Sequence, residues 1–252
     1  MTDVQYNKTA TVLGIVGTIL WCIQLVPQIY TNYRRKSTDG LPRLMLLLWA
    51  YAGVLFGIYF FVLRPNLALM IQPVIFTFLC FVAWAQCLYY GCKFSLIKTA
   101  ILVSVVVAFS AGLEVAAVIP LLNSSLCHSS TNSTCWPLLL IGILAVVLIF
   151  IGLLPPYFEL WRRQGQVVGI SFLFLVIDSS GAILSLLSLL LSGTGNLNSE
   201  YYLGMALYIL VPPMEAGIVL SHFIWWLRIG RHHPHKSHSD VEKAATVTDE
   251  PQ

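Results

Sequence analysis

The stretch LVPQIYTNYRRKSTDGL, at positions 25–41, joins an apolar run to a basic segment through a Pro-Gln pair. A second stretch, LLPPYFELWRR at 153–163, can be laid over its first part, which places Pro155 on Pro27. An arginine pair ends both copies, and after one inserted residue a new apolar run begins in both places. The two stretches are separated by about half the chain, which predicts an internal duplication.

The composition around these stretches is that of a membrane protein. Of the 252 residues, 58% are hydrophobic and only 10% are charged, whereas a soluble domain carries about 25% charged residues. The charges stand in short strips between apolar runs of about 20 residues, the length that crosses about 30 Å of hydrocarbon. The net charge of +3 is small and the basic residues are dispersed, so we expect no nucleic-acid partner.

Seven apolar runs are long enough to span a bilayer. Each would form one transmembrane helix, and the polar tail after them is expected to be disordered. The predicted spans are Thr9–Asn32, Leu41–Leu63, Leu67–Gly91, Ile97–Leu122, Pro137–Trp161, Gly169–Leu191 and Tyr201–Leu227.

Combined with the duplication, these spans predict an all-α membrane protein of seven helices arranged 3+1+3. Two parallel three-helix bundles are joined by a linker helix, whose extra crossing gives both bundles the same direction. Repeats of this kind, related by an axis along the membrane normal, recur in transporters. The expected segments are a lumenal N-terminus at 1–8, a first repeat at 9–91, a linker helix at 97–122, a lumenal loop at 123–136, a second repeat at 137–227 and a cytosolic tail at 228–252.

The distribution of Lys and Arg predicts the orientation in the membrane. Twelve of the fourteen fall in one alternate set of loops, and only Lys8 and Arg64 fall in the other. By the positive-inside rule, the N-terminus is lumenal or outside and the C-terminus is cytosolic.

The predicted lumenal side carries two features of an oxidising, secretory compartment. All three Asn-x-Ser/Thr glycosylation acceptors lie there, Asn7, Asn123 and Asn132, of which Asn132 is the best placed because the other two lie close to the bilayer. Cys127 and Cys135 share the loop at a spacing that favours a small disulfide-closed loop.

The two aligned proline sites predict kinks at the same depth in both repeats. A proline inside a helix removes one backbone hydrogen bond and clashes with the preceding turn. Pro27 in one copy and Pro155-Pro156 in the other are therefore candidate hinges for opening and closing the cytosolic side, with Gln28 as a candidate gate residue. The alternative is that these prolines only bend their helices.

The motif VPQIYTNYRRKSTDGLP at 26–42 resembles the signature of the PQ-loop repeat family. The second copy is a variant, with Pro155-Pro156 where the family usually has Pro-Gln. Its continuation, VVGISFLFLVIDSSGAILSLLSL at 167–189, is similar to the second repeat of cystinosin and of lysosomal cationic amino acid exporters. The resemblance implies a seven-helix transporter of two three-helix bundles in a vacuolar or lysosomal membrane, moving amino acids with protons.

Acidic residues inside the predicted spans are the strongest candidate site residues, because a charge in the bilayer is costly and usually functional. Asp178 follows Gly169 by nine residues, about 14 Å along a helix and near the midplane. Glu215 lies about midway through the last span. Glu114, on the linker helix, either is structural or faces a lumenal vestibule.

The resemblance matches Asp178 to the family's protonatable aspartate, so it implies proton coupling there. The small residues that follow, Ser179 among them, would allow a helix or ligand to approach closely. Glu215 could hold a substrate amino group or share the proton pathway. The alternative for both acids is a protonated side chain that serves as hydrogen-bonded structural glue.

Other polar and aromatic residues are weaker candidates. Gln72 and Trp84 are placed where they could line a solute pathway, whereas Gln24 and Gln86 are expected mainly to bridge helices. Glu159 is expected to form a helix-surface ion pair with the following arginines.

The sequence as a whole predicts a transporter rather than an enzyme, since no nucleotide-binding loop, HExxH or Gly-x-Ser-x-Gly motif is present. The expected solute is small and polar, an amino acid and in particular a cationic one, moved with protons by alternating access. A SWEET-type sugar transporter and a seven-helix receptor or scaffold with a cytosolic protein partner are the alternatives. No cofactor or metal is expected. The expected membrane is vacuolar or lysosomal, with another endomembrane or the plasma membrane as alternatives.

Overall fold

The computed structural model describes residues 8–63, 67–124, 135–191 and 199–230, and every regular element within these ranges is helical. In two places a helix ends in a single π-helical turn, at Cys87–Gly91 and at Trp226–Gly230. The α-helices in this part of the chain are α1 Lys8–Ile23, α2 Val26–Arg35, α3 Arg43–Leu63, α4 Leu67–Gln86, α5 Leu96–Asn123, α6 Trp136–Gly152, α7 Leu154–Arg162, α8 Phe172–Leu191 and α9 Ser199–Trp225.

Seven helical stretches in the described ranges are long and apolar enough to cross a membrane, which confirms the predicted all-α membrane fold. The first and fifth each consist of two helices in line, α1 with α2 and α6 with α7. The stretches are Lys8–Arg35, Arg43–Leu63, Met70–Gly91, Leu96–Asn123, Trp136–Arg162, Phe172–Leu191 and Met205–Arg228.

The first and fifth spans break at aligned positions, directly before their prolines. Leu25, at the junction of α1 and α2, has φ −78° and ψ −12°, and Leu153, at the corresponding junction of α6 and α7, has φ −79° and ψ −13°. Pro27 and Pro155 thereby fall in the first turn of α2 and α7, where a missing N–H costs no helical hydrogen bond. The helix is therefore interrupted at the same point in both copies, next to the prolines for which the sequence predicted kinks.

The turns that follow α2 and α7 contact each other reciprocally. Gly40 and Gly169 adopt left-handed φ values of 79° and 84°. A Cβ on Gly40 would lie 2.0 Å from the carbonyl oxygen of Val168, and a Cβ on Gly169 would lie 2.0 Å from that of Asp39. Asp39 and Val168 are themselves aligned positions. The contact that the glycine of the first copy makes with the second is therefore repeated by the glycine of the second copy with the first.

Helix packing between the copies is also reciprocal, because the first helix of each copy packs on the second transmembrane helix of the other. In the first copy α1 packs on α8, and in the second the corresponding α6 packs on α3. Within the copies, α3 packs on α4 and α8 packs on α9. The linker helix α5 packs mainly on α3 and leaves most of its surface exposed.

Small residues bring α1 and α8 close together. A Cβ on Gly17 would lie 2.4 Å from Ser185 Oγ, and one on Gly14 would lie 2.8 Å from Ser188 Oγ. The Ser188 hydroxyl in turn donates to the carbonyl oxygen of Ala10 at 2.6 Å. Close backbone approach of this kind is how membrane helices gain packing energy without a hydrophobic driving force.

The third helix of each copy also corresponds, at a longer offset than the first. Pro73 lies within α4 and Pro212 within α9. The two π-helical turns that follow, beginning at Cys87 and Trp226, are separated along the chain by the same offset as these two prolines. Together with the matched breaks and turns, this supports the 3+1+3 arrangement, which stays a prediction.

Candidate functional site

Two buried carboxyl groups meet in the core of the bundle. Asp178 lies on α8 with 4% of its surface exposed, and Glu215 lies on the adjacent α9 with 1% exposed. The two side chains lie close enough to form a hydrogen bond when one of them is protonated. Both acids that the sequence singled out near mid-span are therefore brought together, although they belong to different helices.

Glu215 is held by a hydroxyl from the next residue after Asp178. Ser179 Oγ donates to Glu215 Oε2 at 2.6 Å. The other oxygen, Oε1, is buried and has no hydrogen-bond partner among the described residues. Two ionised carboxylates in contact repel each other, whereas a single proton placed between them gives the pair a hydrogen bond. The geometry thus favours a pair that holds one proton.

Gln24 brings the break in the first span into this site. It is the residue before Leu25, and its amide faces the Asp178 carboxyl group. With the amide nitrogen toward the acid, it donates to Oδ1 at 2.5 Å and to Oδ2 at 2.9 Å. An amide carries both donors and an acceptor, so a half-turn of the Gln24 amide would let its oxygen accept a hydrogen bond from the O–H of neutral Asp178. The same side chain can therefore satisfy both protonation states of the acid.

A tryptophan fixes the backbone at the same point. Trp21 Nε1 donates to the main-chain carbonyl of Asp178 at 3.1 Å. A Cβ on Gly181 would lie 2.2 Å from Trp21 Cδ1, so the indole packs on the bare backbone of α8. Gln24 and Trp21 are about one helical turn apart at the end of the first half-span, and both hold the α8 segment that carries the acid.

The aligned positions in the other copy hold an aromatic cluster instead. At the offsets described above, Gln24 corresponds to Gly152, Asp178 to Trp49 and Glu215 to Phe76. The Trp49 indole lies over Gly152, whose added Cβ would come within 2.4 Å of it, and its ring centroid is 5.9 Å from that of Phe76. Equivalent contacts are thus made by acids and an amide in one copy and by aromatic rings and a glycine in the other.

The Gln28 side chain connects the first copy to the second by hydrogen bonds to backbone groups of the second copy, a contact that we call the latch. Its Nε2 donates to the Gly169 carbonyl at 2.7 Å, and its Oε1 accepts from the Ser171 N–H at 2.7 Å. In the other copy the aligned residues are Pro156 and Pro42. Proline at position 42 has no N–H to satisfy, which accounts for the absence of an amide side chain at position 156.

A chain of polar side chains continues from this latch toward α4. Gln28 Nε2 donates to Asn32 Oδ1 at 2.9 Å, and Asn32 Nδ2 donates to Gln86 Oε1 at 2.9 Å. Gln86 Nε2 completes it by donating to the Ile29 carbonyl at 3.1 Å. Gln86 bridges helices as expected. Asn32 was missed from sequence, where its spacing of four residues from Gln28 was the available signal.

An ion pair joins the loops of the two copies beside the reciprocal glycine turns. Arg163 Nη2 lies 2.8 Å from Asp39 Oδ1, and its Nε lies 2.5 Å from Glu159 Oε1. The hydrogen bond to Glu159 and the nearby Asp39 carboxylate raise the pKa of the Arg163 guanidinium. Glu159 also approaches Arg162 at 3.6 Å, so the helix-surface ion pair predicted for it is confirmed.

The other predicted pathway residues lie on α4 and α5. Glu114 is half-buried on α5, where its carboxyl group packs over Gly57 of α3. Gln72 is half-buried, whereas Trp84 is buried in the hydrophobic core of the bundle. Their part in a solute pathway stays a prediction.

The predicted lumenal features are only partly described. Asn123 is the last residue of α5, and Cys135 is disulfide-bonded. Asn7, Asn132 and Cys127 lie outside the described residues. Within the described ranges, no cluster of three or more His, Cys, Asp or Glu side chains is placed to hold a metal ion.

Comparison with known proteins gives a family and several relatives. Residues 9–69 match the PQ loop repeat model. An uncharacterized membrane protein of Saccharomyces cerevisiae is 42% identical over 226 residues, covering 88% of this chain and 68% of that protein. An uncharacterized protein of Schizosaccharomyces pombe is 44% identical over 184 residues, covering 73% of this chain and 63% of that one.

A more distant relative has a named activity. The vacuolar lysine transporter YPQ1 of Saccharomyces cerevisiae is 40% identical over 94 residues, which are 36% of this chain and 30% of that protein.

Proposed function

This chain belongs to the PQ-loop repeat family, and from that premise we propose that it carries an amino acid across an endomembrane, coupled to protons. Membrane transport of amino acids is the activity of its distant named relatives, and seven apolar helices make it an integral membrane protein. The observation that carries the proposal is the buried contact of Gln24, Asp178 and Glu215 at the break between α1 and α2.

The acid pair supplies a site for a proton and, in exchange, for a cation. A buried pair of carboxyl groups that holds one proton is partly neutralised. When that proton leaves, the pair has a negative charge that an ammonium group can balance. The solute we propose is therefore a cationic amino acid, consistent with the lysine named for a vacuolar relative. Protonation from one side and solute binding from the other would then compete for the same two carboxyl groups.

Gln24 links the protonation state to the shape of the first span. Its amide can donate a hydrogen bond to ionised Asp178 or accept one from neutral Asp178. The next residue, Leu25, is the junction of α1 and α2. A change in the protonation state of Asp178 would thus alter a contact made next to the junction of α1 and α2. On the other side of the kink, Gln28 ties α2 to the turn before α8.

The alternating-access step we propose is a movement of the two helix trios about their proline breaks. The Gln28 contacts, the glycine turns and the Arg163–Asp39 ion pair together close one end of the molecule. That end is cytosolic in the orientation given by the Lys and Arg bias, and a vacuolar or lysosomal membrane is the proposed location. Opening requires these contacts to separate.

Transport is tested with the purified full-length chain in liposomes that contain a pH-sensitive dye. Labelled amino acids and sugars are supplied with an imposed proton gradient, in either direction, and with none. The expected result is saturable, gradient-dependent uptake of a cationic amino acid, accompanied by a dye signal. Flat uptake across the panel, with the gradient shown by the dye to be intact, would overturn the proposal and favour a receptor or scaffold.

A further inference from the structure

One end of the first helix trio carries an uncompensated group of cations. The loop between α2 and α3 and the segment between α4 and α5, taken with the helix ends beside them, contain six Lys and Arg residues but a single acid, Asp39. Asp39 is held by Arg163 of the second copy. None of the six cations forms an ion pair with a carboxylate of the described residues. The six are Arg34, Arg35, Lys36, Arg43, Lys93 and Lys98.

Side-chain contacts bring the two segments together into one surface, which we call the basic patch. Lys36 Nζ lies 3.5 Å from the ring centroid of Tyr33 and 5.8 Å from that of Tyr90. Arg43 Nη1 donates to Cys92 Sγ at 2.9 Å. Aromatic rings that carry cations at a helix end are typical of the membrane–water interface, where lipid headgroups lie.

Two of the cations stand where a lysine is not the residue that the backbone favours. Lys36 and Lys93 adopt left-handed φ values of 49° and 57°, a conformation in which glycine or asparagine is usual. Lysine therefore occupies both positions although the backbone conformation there favours glycine or asparagine.

The duplicated architecture supplies an internal comparison. Lys36 corresponds to Gln164, which also has a left-handed φ, and Arg43 corresponds to Phe172, each the first residue of its helix. The general preference for cations on one side of a membrane acts on both copies alike. The corresponding segments of the second copy contain a similar number of Lys and Arg residues, five in all: Arg162, Arg163, Arg228, Arg231 and Lys236. Arg162 and Arg163 are paired with the carboxylates of Glu159 and Asp39. The first copy is therefore distinguished by cations that lack a carboxylate partner among the described residues.

We propose that the basic patch binds the headgroup of an anionic phospholipid in the adjoining leaflet, one that carries a phosphomonoester. A polyphosphorylated or monophosphorylated inositol lipid has this chemistry, and juxtamembrane clusters of Lys and Arg attract such headgroups strongly. The rings at Tyr33 and Tyr90 hold the cation above the interface, while the acyl chains remain in the bilayer beside α2 and α4. This binding site is separate from the buried acid pair.

The experiment compares two variants that each remove two charges from the full-length protein in detergent. Lys36→Gln/Arg43→Gln alters the basic patch, and Arg162→Gln/Arg228→Gln alters exposed cations of the second copy. Binding of a short-chain phosphatidylinositol monophosphate is measured by the rise in unfolding temperature on titration. Phosphatidylcholine of the same chain length, free inositol phosphate and inorganic phosphate serve as controls.

We expect the phosphoinositide to stabilise the unaltered protein and the Arg162→Gln/Arg228→Gln variant equally. The basic-patch variant should bind it about tenfold or more weakly, since each Lys or Arg at an anionic surface contributes appreciably. Equal weakening in both variants, or equal stabilisation by phosphatidylcholine, would overturn the proposal. Full stabilisation by free inositol phosphate or by inorganic phosphate would show a soluble ligand instead of a lipid and would overturn it as well.

Discussion

Gly152 lies beneath the indole of Trp49 at the position where, in the other copy, Gln24 faces Asp178. The two pairs occupy aligned positions in the duplicated chain. In one pair a hydrogen-bonding amide meets an acid, and in the other the absence of a side chain makes room for a large ring. The two aligned pairs thus form one polar site and one filled counterpart, and substitutions can separate their roles.

Replacing Gly152 with alanine should destabilise the protein. A Cβ at this position would lie 2.4 Å from Trp49 Cδ1 and 2.6 Å from Nε1, and overpacking of this kind costs about 1–3 kcal/mol. The measurement is the unfolding midpoint in detergent. Gly112→Ala is the matched control, because no heavy atom lies within 4 Å of its added Cβ; an equal loss in both variants would contradict the packing described for Trp49.

Asp178→Asn should abolish proton-driven uptake while leaving the protein folded. Asparagine keeps the shape of the side chain and can still pair with Gln24, but it cannot bind or release a proton. Uptake with a pH gradient should fall to the level measured without one. Glu114→Gln removes another intramembrane acid, which packs over Gly57 of α3, and should retain the response to the gradient. Loss of that response in both variants would argue against a specific role for Asp178.

Gln28→Leu should cost stability, and the cost should shrink when Ser171 is also changed to proline. The single change leaves the Ser171 N–H and the Gly169 carbonyl without their partner, and each unsatisfied buried group costs about 1–3 kcal/mol. Ser171→Pro removes the orphaned donor and reproduces the proline found at position 42 of the other copy. A double-mutant cycle on the unfolding free energy measures the coupling, and strictly additive losses would refute it.

Alanine at Gly40 and alanine at Gly169 should be about equally damaging. Each position has a left-handed φ, and each added Cβ would lie 2.0 Å from a carbonyl oxygen of the opposite turn. The conformational cost alone is about 1–2 kcal/mol, and the collision adds to it. Gly91→Ala is a milder comparison, because its Cβ would meet only the Thr38 hydroxyl at 2.8 Å. Tolerance of alanine at one of the two turns would contradict their reciprocal contact.

The seven helices and the two breaks could be predicted because their signals are local. An apolar run of sufficient length and a proline act through the backbone near them. The burial of Asp178 also followed from the cost of a charge in lipid. These features depend on no distant partner.

The partners of those residues could not be derived in the same way. Ser171, which hydrogen-bonds to Gln28, belongs to the other half of the chain. The sequence around Gln28 contains no signal that identifies Ser171 as its partner. The correspondence of Glu215 with Phe76 needed the third-helix offset, which differs from that of the earlier helices because the connecting segments differ in length. The aromatic counterpart of the site became visible only when the helices were packed.

The meeting of the turns at Gly40 and Gly169 has a consequence for how the two copies fit together. At this crossing the copies meet through peptide groups, since neither glycine has a side chain and each lies against a carbonyl of the other copy, that of Val168 or that of Asp39. The pocket at Asp178 is acidic and its counterpart at Trp49 is aromatic, but the two turns are alike. At this crossing each copy fits the other only because a hydrogen atom stands where a side chain would collide with a carbonyl oxygen.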